Sequence, residues 1–142
     1  MAKKKARTYS DGGARGNPGP AGYGAVVQLF DEDMGVYSTV RELKKFLGTM
    51  TNNQAEYLGL IAGIESAVSL EVEEIECLLD SELLVRQLNG EYRVKDMKMK
   101  ELYERVQGLL GSFQRISFKH IRREFNKEAD RLVNEAIDAG IR

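Results

Sequence analysis

The sequence predicts an α/β domain built on a mixed five-stranded sheet, three antiparallel strands followed by parallel ones, with helices on both faces. Three observations carry this prediction. The first third of the chain alternates apolar extended runs with turn residues. The hydrophobic period changes abruptly to that of a helix at Thr51. Beyond it, two short strand-like runs, residues 74–80 and 116–121, alternate with helical patterns, the order expected when strands are joined through crossover helices.

Residues 7–11 are short and β-like, and residues 12–22 are so rich in Gly, Asn and Pro that they read as a turn-bearing connection. Residues 23–30 form an apolar extended run, Asp31-Glu32-Asp33 with nearby Gly35 mark a turn, and residues 36–46 resume the β pattern, which completes a three-stranded meander. Thr51 and Gln54 have the spacing of a capping box, so a helix is expected over 53–69. Within it Ala55, Gly59 and Gly63 line up at four-residue spacing. Glycine destabilises a helix by about 1 kcal/mol relative to alanine, so this stripe implies a backbone pressed against the sheet. Residues 74–80 are apolar on both faces, as in a covered strand. A short helix over 81–88 ends at Asn89-Gly90, a longer one covers 96–110, and a last helix over 126–139 buries Ala129, Leu132, Val133, Ala136 and Ile137.

A chain of 142 residues suits one domain, with residues 1–5 as a flexible basic tail. The single cysteine, Cys77, excludes a disulfide framework and a cysteine zinc site and fits a reducing cytoplasm. There is no apolar stretch of about 18 residues and no signal-peptide core, so neither a membrane span nor secretion is implied. The net charge of −1 is low for a nucleic-acid binder. Its distribution matters more: Arg86, Arg93, Lys95, Lys98, Lys100, Lys119, Arg122 and Arg123 are available to line a groove.

Four carboxylates carry the chemistry. Asp11 ends a strand-like run before Gly12-Gly13, Glu56 lies near a helix start, Asp80 ends an apolar strand and Asp130 opens the last helix. Acidic residues at such element ends form a cage of hard oxygen donors, suited to Mg2+ and metal-assisted phosphoryl chemistry.

Several motifs, in order, then point to one family: Tyr9-Ser10-Asp11-Gly12-Gly13, residues 16–24 (GNPGPAGYG), Thr51-Asn52-Asn53-Gln54-Ala55-Glu56, Asp80-Ser81, and Asn126-Lys127-Glu128-Ala129-Asp130. From about Thr8 to Ala139 the chain resembles ribonuclease HI, the type 1 ribonuclease H family. The resemblance implies the ribonuclease H-like fold and hydrolysis of the RNA strand of an RNA/DNA hybrid to 5′-phosphate and 3′-hydroxyl ends. It implies two Mg2+ ions, with Mn2+ as a substitute: Asp11 shared between them, Glu56 and Asp80 completing one site and Asp130 serving the other. Gly12, Gly13 and Ala14 are expected to approach the RNA strand, where the 2′-hydroxyl separates RNA from DNA. Asn52, Asn53 and Gln54 are expected along the minor groove, and Asn17 and Thr51 on the DNA backbone. Ser81, Arg123 and Asn126 complete the expected substrate contacts, and a monomer suffices.

The chain departs from the family pattern in three places. The loop before the last helix lacks the family's histidine; the only histidine, His120, sits in a strand, and Arg122, Arg123 or Glu124 is available to replace it, with Arg123, nearest the loop centre, the expected phosphate or leaving-group contact. The connection 89–96 is short where some relatives carry a basic, Trp-bearing handle, leaving Tyr92, Arg93 and Lys95. Glu82 follows Asp80-Ser81 where Gln is common, and either an outer contact to the metals or an outward orientation fits it. Two alternatives stay open: a nuclease of the same fold acting on another nucleic acid, duplex RNA included, and a catalytically silent nucleic-acid-binding module.

Overall fold

The computed structural model describes residues 3–142. Strands β1 (Lys5–Ala14), β2 (Gly19–Asp31) and β3 (Val36–Met50) form the meander, followed by helix α1 (Asn52–Ser69) and strand β4 (Glu74–Leu79). Helices α2 (Glu82–Leu88) and α3 (Met97–Leu109) lead to strand β5 (Arg115–His120), a 3-10 turn over Arg123–Phe125 and helix α4 (Lys127–Gly140). The strand order is β3-β2-β1-β4-β5. β1–β2 and β2–β3 pair antiparallel, while β4 pairs in parallel with both β1 and β5.

The helix start at Thr51 forms as its spacing predicts. Gln54 N donates to Thr51 Oγ1 at 3.2 Å while Thr51 N donates to Gln54 Oε1 at 3.0 Å, so two otherwise orphaned amides are satisfied. The small-residue stripe of α1 lies against β1. A Cβ at Gly59 would stand 2.7 Å from the Asp11 carbonyl oxygen, and one at Gly63 would touch the Thr8 side chain. From the other side, a Cβ at Gly12 would fall on the backbone of Ala55 and Glu56. Leu60, Ile61 and Ile64 of α1 then bury a core with Ile75, Cys77 and Leu79 of β4, Leu84 of α2, Met99 and Val106 of α3, and Phe118 of β5. Helix α4 covers the opposite face, where glycines in β2 make room for it: a Cβ at Gly24 would meet the Ala129 carbonyl and Leu132.

Two expectations are corrected. Residues 12–22 are not a loop: β1 runs to Ala14 and β2 starts at Gly19, so only residues 15–18 turn. Gly12 and Gly22 mark close helix–sheet contacts while Gly16 and Gly19 serve the chain reversal, and composition does not separate these two uses. The basic start is also ordered by Lys5, which belongs to β1, and the Lys4 carbonyl accepts from the amides of Glu73 and Glu74. Met1 and Ala2 lie outside the described residues.

Gly108, exposed in α3 with nothing near its Cβ direction, provides a contrast. Gly108→Ala gains about 0.5–1 kcal/mol in denaturant unfolding, whereas Gly12→Ala loses more than about 3 kcal/mol, because the atom it strikes is backbone that cannot step aside.

Candidate carboxylate site and nucleic-acid groove

The parallel β1–β4 ladder ends at the pair Ser10 and Leu79, and the four carboxylates gather just past that point. Asp11 follows Ser10 in β1, opposite Gly24 of β2. Asp80 occupies the step between β4 and α2. Its neighbour Ser81 caps α2 by accepting from Leu84 N at 3.2 Å, so Asp80 does not cap that helix. Glu56 is the fifth residue of α1, and the first turn holds no acidic residue; a helix-dipole role therefore does not account for it. Asp130 stands in the first turn of α4 at the exposed rim. All four line one cleft with Gly12, Gly13, Ala14, Asn52, Asn53, Ser81 and Arg123.

Their charges act on one another. Burial pushes the Asp11 carboxyl up to about 8, helped by the negative charges of Asp80, Glu56 and Asp130 and opposed by the Gly12 amide, which donates to Oδ1 at 2.9 Å. Burial and Asp80 push Glu56 up to about 7, against a hydrogen bond from Ser81 and the positive charge of Arg123. Acidic groups that resist ionisation because they are buried and face other carboxylates mark a place built for an external positive charge. The donor set is all oxygen, which suits a hard divalent cation. Among the described residues no three His, Cys, Asp or Glu side chains stand as a ready-made metal cluster; the fit rests on this convergence and mutual repulsion.

The expected substrate contacts divide into two adjoining surfaces. Gly12, Gly13, Ala14 and Asn52 belong to the carboxylate cleft. Asn17, Thr51 and Gln54 instead line a neighbouring depression with Asp96, Met97, Lys98 and Met99, and Asn53 belongs to both. Several of these side chains already have structural partners. Asn52 Oδ1 accepts from Ala14 N at 2.7 Å and Asn52 N donates to Asn17 Oδ1 at 3.0 Å, which braces the β1–β2 turn against α1. Asn126, expected among the substrate contacts, is corrected: it is 1% exposed and holds the interior, so no ligand reaches it.

Arg123 lines the cleft, whereas His120, exposed at the end of β5, does not. Glu82 points outward and pairs with Arg86 at 2.9 Å. Sequence reasoning missed Arg15, Val133, Asn134 and Ile137 as cleft walls. No local pattern marks them; only the docking of α4 brings them there, with Arg15 held by Asp138 at 2.6 Å.

A five-stranded mixed sheet carrying four acidic residues at one end defines the ribonuclease H-like class. The comparisons narrow it. The family described as reverse transcriptase-like matches residues 9–136. A bifunctional protein of Mycobacterium tuberculosis is 49% identical over 131 residues, 92% of this chain but 35% of that protein. Ribonuclease HI of Halobacterium salinarum is 40% identical over 134 residues, 94% of this chain and 65% of its own. LC11-RNase H1, solved in complex with an RNA/DNA hybrid, superposes with a TM-score of 0.87 at 41% identity, covering 96% of this chain and 99% of that one. The chain belongs to the type 1 ribonuclease H family. It spans about a third of the length of the mycobacterial relative.

Burial, aided by mutual repulsion, sets a pH dependence. The folded-state value of Asp11 lies above its ordinary value of 3.8 and that of Glu56 above 4.5. Their contribution to the stability of the metal-free protein is therefore fully present below about pH 4 and is lost as pH rises towards 8. In chelator, Asp11→Asn raises the melting temperature by on the order of 5 °C at pH 8 and leaves it nearly unchanged at pH 4; thermal melts across that range check the sign.

Proposed function

We propose that this chain is a divalent-metal-dependent endonuclease that hydrolyses the RNA strand of RNA/DNA hybrids, leaving 5′-phosphate and 3′-hydroxyl ends. The observation that carries the reading is the convergence of Asp11, Glu56, Asp80 and Asp130 in one cleft, where burial and the neighbouring charges oppose ionisation of Asp11 and Glu56. These side chains would hold Mg2+, or Mn2+ in its place. When bound, the ions supply neutralisation of phosphate charge and acidify the attacking water.

The remaining residues bind and orient. Ser81 lines the cleft with Glu56, and its hydroxyl favours the charged carboxylate there. Gly13 and Ala14 bring main chain to the cleft wall, where ribose hydroxyls can be sensed. The adjoining depression, with Asn17, Thr51 and Lys98, suits the second strand's phosphates. These contacts address sugar and phosphate, so cleavage is largely independent of sequence. Arg123 lines the cleft, its charge acts on Glu56, and it suits the scissile or leaving phosphate oxygen. One chain builds the whole cleft, which supports action as a monomer, and a reducing cytoplasm suits the free thiol of Cys77. No helix of the described residues is long and apolar enough to cross a membrane.

The test is cleavage of an end-labelled hybrid beside single-stranded RNA, duplex RNA and duplex DNA of the same sequence, with Mg2+ or Mn2+. Hybrid-selective cutting that vanishes in Asp80→Asn is expected. A folded protein that cuts nothing with either metal points to a silent binding module, and cutting of duplex RNA alone points to the other substrate class.

Arg123→Ala lowers the single-turnover rate by about 10- to 100-fold, and an unchanged rate removes Arg123 from the site. The short 89–96 connection leaves few cations for the hybrid, so affinity is low and falls only shallowly between about 50 and 200 mM salt in a binding titration.

A further inference from the structure

The four carboxylates come from four elements, and their repulsion pushes those elements apart. We propose that Asn126 is the positioning residue of the site: its buried side-chain amide ties the ends of β1 and β4 to the start of α4 and orients Asp80 for a cation. The inference rests on the metal-dependent reading above.

Asn126 Nδ2 donates to the Ser10 carbonyl at 2.9 Å and to Asp80 Oδ2 at 3.2 Å. Ser10 belongs to the last rung of the parallel ladder. The amide therefore bridges the strands just where main-chain pairing between β1 and β4 stops. The backbone carbonyl of Asn126 accepts from Asp130 N at 3.1 Å, one turn along α4. One residue thus touches the neighbour of Asp11, Asp80 itself and the backbone of Asp130. Glu56 faces the same end of β4, lining the cleft with Asp80 and Ser81.

The orientation of the amide is set by its partners. Both contacts require a donor, and Oδ1 is buried with no partner; turned over, it would put an acceptor against two acceptors. Asp cannot replace it, although the shape is the same: it would bring no donors and add a fifth negative charge. Holding one oxygen of Asp80 fixes where the other points, as outer hydrogen bonds do for metal-binding carboxylates. Burial excludes contact with the hybrid, so the effect falls on turnover rather than on substrate binding.

Steady-state kinetics of Asn126→Asp and Asn126→Ala, with folding checked by circular dichroism, should show kcat reduced by about 10- to 100-fold and KM for the hybrid changed less than about threefold. Titration of the free variants with Mg2+ alone, read from backbone amide shifts of Gly12 and Ser81, should show weaker binding. In the wild-type protein, which needs no altered Asn126, the side-chain amide signal of Asn126 should move on adding Mg2+ and in Asp80→Asn. Unchanged kcat in a folded variant, an effect on KM alone, or an Asn126 signal indifferent to both Mg2+ and Asp80→Asn overturns the assignment. Activity retained by Asp80→Asn would instead remove the metal reading beneath it; loss there with none at Asn126 would remove this inference alone.

Discussion

The structure depends on how closely α1 lies against β1. At Gly12, Ala55 and Gly59 the backbones approach to a distance that leaves no room for a side chain on either glycine. Such contact places an 18-residue helix directly over the central strands, and the core closes around it. It also sets the reach of Glu56. A glutamate projected from a helix seated further from the sheet would not feel Asp80, and the Glu56 carboxyl does. The same sacrifice of side chains that destabilises the helix by propensity thereby builds the site.

The second constraint is electrostatic. Three of the carboxylates are half-buried and the fourth stands at the rim, and the fold tolerates their repulsion because backbone and side-chain donors are arranged around them. The Gly12 amide serves Asp11, Ser81 serves Glu56, and Asn126 serves Asp80. Each donor lies in an element end fixed by other bonds: a strand register, a helix cap and a buried amide. The cleft is thus held open by the fold against its own charges, a stability–function conflict expected where a site is preorganised for a ligand of opposite sign.

Much of this was legible in the chain. Every strand and helix was expected, and the Thr51–Gln54 capping box formed as its spacing required, because caps and periodicity are short-range properties. Boundaries were less legible: β1, β2 and β3 each extend further than expected. In the case of β1 and β2, glycine in a strand packed under a helix looks, in sequence, like glycine in a turn. Among the candidate site residues, the four carboxylates and Arg123 reached one cleft, while Asn17, Thr51 and Gln54 settled in the next one.

By itself the sequence determined the element order, the α/β class and the acidic positions at strand and helix ends, since each depends on residues within a few places of one another. Only the tertiary structure decided that Asn126 is interior, that Glu82 turns outward to Arg86, that Asn52 braces the β1–β2 turn, and that Arg15 and Asn134 wall the cleft. Those outcomes depend on contacts such as Asn126 with Ser10, 116 residues apart. No local pattern encodes such a contact; it exists once the sheet order has brought the ends of β1, β4 and α4 to one place.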